Sequence, residues 1–276
     1  MKKNNINILL FIFLFILSAL YLSPILIVLL NSFKGKLYIS EQPFALLNEE
    51  NFYGIKNYTV GLAKTGFFNA AFWSFFITVL SVGLIVLCTS MTGWFIMRVR
   101  NRINSLLYYM FVFSMIVPFQ MVMYTMTKIA NMVSLDNPVG IAVIYLGFGA
   151  GQSVFLFSGF VKSIPMELEE AALIDGCNPI QTFFKVVFPV LKPITITVSI
   201  LNAMWIWNDY LLPYLVIGTE YKTIPIAIQY LKTGYGGIDM GAMMAMLVLA
   251  IIPIVVFYLI CQKYIIQGVI AGAVKG

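Results

Sequence analysis

The chain has 276 residues, 61% of them hydrophobic and 10% charged, with a mean hydropathy of +0.94. Soluble domains carry about 25% charge and cover their surface with polar groups, so these numbers exclude a soluble globule and also a disordered chain. Three scattered cysteines, no histidine and a net charge of +6 spread through short gaps exclude a disulfide scaffold, histidine metal sites, Ser-His-Asp chemistry and a nucleic-acid partner.

A transmembrane helix needs ~20 mostly apolar residues. The segments that qualify are 8–30, 72–97, 106–124, 139–160, 194–217 and 242–264. The first follows Lys2 and Lys3, but its apolar stretch is too long for a signal peptide and no small-residue cleavage site follows, so it reads as a span. Pro118 predicts a kink in the third span. Gly147, Gly149 and Gly151 predict close helix packing by the fourth. The basic residues set the orientation. With the N-terminus inside, ten of the seventeen lie inside and seven outside, and the cluster Arg98, Arg100, Arg102 beside a span end decides it. Both termini are therefore expected to be cytoplasmic. The long outer connection is 31–66, and the long inner one is 162–192. No repeat or linker divides the chain, which reads as one membrane domain over 1–276.

Ionisable groups inside a bilayer mark pumps and ion-coupled carriers. Here Asp209 is the clear candidate, ~24 Å along the fifth span from Pro193 and so near the outer interface. A stand-alone ion-coupled secondary carrier has little to work with. No phosphate-binding loop G-x-x-x-x-G-K-[ST] occurs, so the energy for any transport must come from another polypeptide. In the fifth span Thr195, Ser199, Asn202 and Asp209 fall within ~80° of one another. Such a stripe either glues helices or lines water; Asn202, near mid-membrane, favours a lining role in a translocation path. Trp205, Trp207 and Tyr210 have two readings, sugar stacking and an interfacial belt.

The inner segment 163–193 reads SIPMELEEAALIDGCNPIQTFFKVVFPVLKP. Pro165 suits a first helical position, and Glu167, Glu169 and Glu170 favour the positive end of a helix dipole. Gly176 suits the residue after a helix end. Asn178, Pro179 and Gln181 then form an N-cap, an N1 proline and a box partner for a second short helix. On the first helix Met166, Glu170, Leu173 and Ile174 share one side. A carboxylate inside an apolar stripe wants a partner if that stripe is buried; otherwise it reaches water or a nearby lysine.

At this point the chain resembles the membrane subunits of binding-protein-dependent ABC importers. Their inner loop carries E-A-A, three residues, G, nine residues, I-x-L-P. Glu170, Ala171, Ala172 and Gly176 match, and Val186, Phe188 and Pro189 fall at the last three places, with Val and Phe as apolar departures. WNDYLLP at 207–213 and QGVIAGAVKG at 267–276 are similar to stretches of carbohydrate-importer permeases of the maltose type, second subunit. The resemblance covers about 72–276, and the outer segment 31–66 matches least. It implies an all-α polytopic membrane protein with six transmembrane helices, the type I ABC importer permease fold. It implies a bacterial-type cell membrane and a heterodimer with a second, homologous permease. Two cytoplasmic ATPase subunits would hold the ATP and Mg, leaving no cofactor in this chain, and an external binding protein would deliver a sugar. By the same resemblance the loop couples to the ATPases through Glu170, with Ala171 and Ala172 permitting close approach and Met166, Leu173 and Ile174 forming the apolar part of the dock. Gly176 ends the helix.

Overall fold

The computed structural model describes residues 2–232 and 239–273. In chain order the helices are α1 (Lys2–Asn31), α2 (Lys36–Glu41), α3 (Lys56–Thr65), α4 (Phe67–Arg98), α5 (Arg102–Ser114), α6 (Phe119–Met132) and α7 (Pro138–Val161). They continue as α8 (Glu167–Ile174), α9 (Pro179–Thr182), a π-helical turn (Phe183–Val187), α10 (Phe188–Val190), α11 (Lys192–Asn208), α12 (Leu211–Val216), α13 (Ile224–Gln229) and α14 (Met240–Ala273). Among the described residues no strand forms, and one isolated bridge pairs Lys34 with Phe52.

Helices α1, α4, α7 and α14 are each long and apolar enough to cross a membrane, and two bent pairs bring the possible spans to six. Such helices keep their backbone hydrogen bonds within the segment, as hydrocarbon demands, interrupted in α1 and α14 by Pro24 and Pro253. The third predicted span is not one kinked helix. It is α5 and α6, bent by 106° across a break. Pro118 has no N–H to continue a helix, and it stands in extended backbone as the N-cap of α6. The fifth predicted span is also broken. Helix α11 stops at Asn208, and Asp209 is extended (φ −72°, ψ 128°) before α12 begins.

The chain divides into two compact units, residues 1–70 with 227–255 and residues 71–226 with 256–276; α4 and α14 each run through both. In the first unit, α1 presents its apolar side chains outward from Ile8 to Leu22, as a lipid-facing helix does. The segment after it is ordered by polar groups. The Asn57 amide donates to Ser32 O and Lys34 O, both at 2.8 Å. The Ser32 and Tyr58 hydroxyls meet at 2.7 Å. Lys34 is fully buried, its Nζ donating to Gln42 O at 2.9 Å. Burial without a carboxylate holds its ammonium below the usual lysine range. Lys64 pairs with Asp239 at 2.6 Å, tying α3 to the start of α14.

The second unit holds the main core. Ile77 and Ile85 of α4, Tyr145, Phe157 and Val161 of α7, Phe183 and Val187 of the π turn, Leu191, and Val198 and Ile206 of α11 are buried together. Of the three glycines on α7, two make the close approaches that were predicted. A Cβ at Gly149 would lie 2.8 Å from Ile85 and from Asn202, and one at Gly151 would lie 2.7 Å from the Phe111 carbonyl of α5. Gly147 opens on nothing within 4 Å, so it takes no part in that packing.

Candidate functional site

The segment from Ile164 to Leu191 folds as its capping residues direct. Helix α8 starts at Glu167 with Met166 as N-cap. Pro165 thus lies two residues before the helix, where it stops the turn after α7 from continuing, and not in the first turn itself. Glu167, Glu169 and Glu170 occupy that turn. At the other end Gly176 adopts φ +83°, a conformation that costs an L side chain about 1–2 kcal/mol. The Gly176 N–H donates to Leu173 O and the Cys177 N–H to Ala172 O, a complete Schellman closure. Asn178 then caps α9. Its Oδ1 accepts from Gln181 N at 2.9 Å, while Gln181 Oε1 accepts from Asn178 N at 3.0 Å. The run from Pro179 to Val190 bends by 78° into α11.

Helix α8 has two unlike sides. Met166, Leu168, Glu170, Ala171, Leu173 and Ile174 are exposed, Ile174 to 85%. Among the described residues Glu170 has no ion pair. The inward side carries Glu169 and Ala172, three residues apart. This corrects one expectation. Ala172 packs against its own chain, because helical rotation places it opposite Glu170, and only Ala171 of the pair lies on the open side.

Glu169, 4% exposed, is the carboxylate that finds a partner. Its Oε1 accepts from Arg98 Nε at 2.8 Å and lies 2.7 Å from Arg98 Nη2; its Oε2 accepts from Trp94 Nε1 at 2.9 Å. Arg98 Nη2 also donates to Ile164 O at 3.0 Å, just ahead of α8. Arg98 is the last residue of α4, where a cation complements the helix dipole. The Trp94 ring lies 5.4 Å from that of Phe183 in the π turn. Three charge-assisted hydrogen bonds therefore fix α8 to the end of α4, and an aromatic contact fixes the following turn to the same place. From sequence alone Arg98 reads as an orientation signal and Glu169 as a helix-dipole charge, and Trp94 carries no role. A signal was present, since Trp94 and Arg98 are four residues apart and share a helix face.

The stripe on α11 is less open than expected. Asn202 is buried, and its Nδ2 donates to Ser153 Oγ on α7 at 3.1 Å and to Val198 O at 2.9 Å. Its Oδ1 occupies the space left by Gly149. Asn202 is thus a helix–helix contact here, and its reading as path lining is corrected. Asp209 is likewise engaged. Tyr145 Oη donates to its Oδ2 at 3.1 Å, and its Oδ1 accepts from Leu211 N at 3.0 Å, capping α12. Ser199, half-buried, donates to Thr195 O, and Thr195 is half-buried as well. Trp205 sets its face edge-on to Tyr145, and Tyr210 stacks on Tyr214. Lys275 and the last residues of the C-terminal motif lie outside the described residues.

Residues 85–271 match the family model described as binding-protein-dependent transport system inner membrane component. The chain is 38% identical to the probable starch degradation products transport system permease protein AmyC of Thermoanaerobacterium thermosulfurigenes, with all of both chains covered. It is 36% identical to the multiple sugar-binding transport system permease protein MsmG of Streptococcus mutans, covering 94% of this chain and 93% of that one. Its fold is similar to a chain in the crystal structure of a bacterial ABC transporter involved in the import of the acidic polysaccharide alginate. The TM-score is 0.79 at 22% identity, over 96% of this chain and 98% of the other.

Proposed function

Because the chain belongs to the family of binding-protein-dependent transport system inner membrane components, we propose that it carries a sugar across the bilayer for an importer whose ATP is spent on other subunits. It is a permease subunit with the all-helical fold of an ABC importer permease. The substrate is an oligosaccharide or related carbohydrate, a reading supported by the starch products and multiple sugars named for its relatives. Its partners are a homologous permease, two ATPase subunits and an external binding protein, and both of its termini are cytoplasmic. The two compact units act together as a single permease domain.

The coupling element is α8 with the turn that follows. The observation that carries this is the contrast between its sides: an open side with Met166, Leu173, Ile174 and an unpaired Glu170, and an inner side clamped by Arg98 and Trp94. A segment that only closed a loop would have no use for a rigidly held, outward apolar face around a carboxylate. ATP binding closes the ATPase pair and displaces α8. The Glu169 clamp passes that displacement to α4, and the bend at Leu191 passes it to α11. The permease thereby changes between two states biased from a distant site.

The test is Glu170→Lys in the reconstituted four-subunit importer with its binding protein. Membrane insertion should be unchanged, ATPase co-purification weakened and sugar uptake abolished. Unaltered ATP-driven uptake would remove the coupling role, and uptake by this chain without ATPases would remove the importer reading itself.

A further inference from the structure

A second feature of the α4 end is a cavity of about 420 Å³ lined by Arg98, Arg100, Ser105, Tyr108, Tyr109 and Lys162, with Ile96 and Met97 at its apolar side. It opens where α4 and α7 end and α5 begins, the depth at which headgroups lie if these helices span a bilayer. The charge there is uncompensated. Among the described residues the salt bridges are Lys64–Asp239 and Arg98–Glu169, so Arg98 is matched while Arg100 and Lys162 are not. The Lys162 ammonium lies 6.0 Å from the centre of the Tyr108 ring, on the cavity wall. The hydroxyls of Tyr108 and Tyr109 add donors around the two cations, while that of Ser105 donates to Asn101 O at 3.1 Å; the set suits a phosphodiester.

What distinguishes this cavity from a basic surface is what lies below it. Leu106, Tyr109, Met110 and Phe113 of α5 are 62%, 66%, 60% and 64% exposed. Their spacing places them on one helix face, and Tyr109 belongs to both that face and the cavity. An apolar track thus leads from the cations into the hydrocarbon layer. A free anion has no use for it, whereas an acyl chain does. Basic pockets between spans on the cytoplasmic side suit anionic headgroups. We propose that the cavity between the ends of α4 and α7 and the start of α5 binds one anionic phospholipid, its phosphate held by Arg100 and Lys162 and an acyl chain lying along α5. The proposal needs only that the chain spans a bilayer, and it holds or fails separately from the coupling role of α8.

The experiment uses the assembled importer, purified in detergent and stripped of lipid. Native mass spectrometry reads occupancy against added phosphatidylglycerol, phosphatidylcholine or inorganic phosphate. Arg100→Ala/Lys162→Ala is compared with Arg102→Ala/Lys185→Ala, which removes the same charge from the start of α5 and the π-helical turn, outside the cavity. The expected result is one tightly held phosphatidylglycerol, displaced poorly by phosphatidylcholine. The cavity variant should weaken it on the order of twentyfold, about fivefold per cation, and the control by less than about twofold. Equal losses in both variants would mean diffuse surface attraction and overturn the site. Displacement by inorganic phosphate at lipid-like concentration would make it a free-anion site, and no preference for phosphatidylglycerol would end the proposal.

Discussion

Arg98→Ala is the sharpest perturbation of the clamp. It leaves Glu169 buried with the Trp94 Nε1–H, at 2.9 Å, as its remaining donor. Breaking a buried ion pair by removing one partner costs about 3–5 kcal/mol. The Arg98 side chain is 15% exposed and Trp94 still donates, so a cost of about 2–3 kcal/mol follows for keeping α8 against α4. That is roughly a 30- to 150-fold shift toward a detached α8. The assay is sugar moved per ATP hydrolysed in proteoliposomes, read beside thermal unfolding of the complex. A purely structural role would lower stability and total activity together. The clamp instead predicts that ATP hydrolysis persists, because the open side of α8 is intact, while sugar moved per ATP falls at least about tenfold. The exchange Arg98→Glu with Glu169→Arg should restore part of the ratio. A normal ratio and normal unfolding in Arg98→Ala would refute the reasoning.

Asn202→Leu should act on stability rather than on substrate handling. It removes the bond to Ser153 and crowds Gly149, for a loss of about 1–2 kcal/mol; a changed KM for sugar with unaltered unfolding would restore the lining role. The pair Lys64–Asp239 predicts an acid dependence. Burial raises the Asp239 carboxyl, but the bonds from Lys64 and Ala242 N and the charges of Lys64 and Lys36 outweigh it and hold its pKa below the ordinary range. Stability from this group is present above the unfolded aspartate value and is lost as pH falls through the lower folded value. Unfolding temperature measured across the acid range should therefore fall less steeply in Asp239→Asn than in the parent, and parallel curves would exclude the linkage.

Four spans were legible because length and apolar composition suffice for a helix that faces lipid or packs along its length. The C-terminal end of α8 and the cap of α9 were legible too, because Gly176, Asn178 and Pro179 act on neighbours within a few residues; the start of α8, expected at Pro165, was not. The breaks in the third and fifth spans were not. Apolar residues continue on both sides of Pro118 and Asp209, so composition sees one run where the backbone turns. The choice between Glu169 and Glu170 was also out of reach. Helical periodicity sorts residues by side, but the partner that decides which side is inner stands 71 residues upstream, on another helix. Asn202 shows the same limit. A polar group at mid-span serves water or a neighbouring helix, and only Ser153 and the space at Gly149 decide between them.

The chemistry of the clamp matters for what it transmits. An apolar patch holds two helices together but resists sliding poorly, because each small displacement exchanges one set of dispersion contacts for another. Two hydrogen bonds and an ion pair converging on one carboxylate from two side chains hold it by directional contacts that sliding would break. Buried ion pairs add little net stability compared with a well-packed apolar contact, yet they fix register. A helix that must be pushed from outside and must move its neighbour by the same amount has more use for register than for stability. That places the charged contact on the inner side of α8 and leaves the outer side apolar, adaptable and separable, so that the two sides fail differently when mutated: the outer by losing its partner, the inner by slipping.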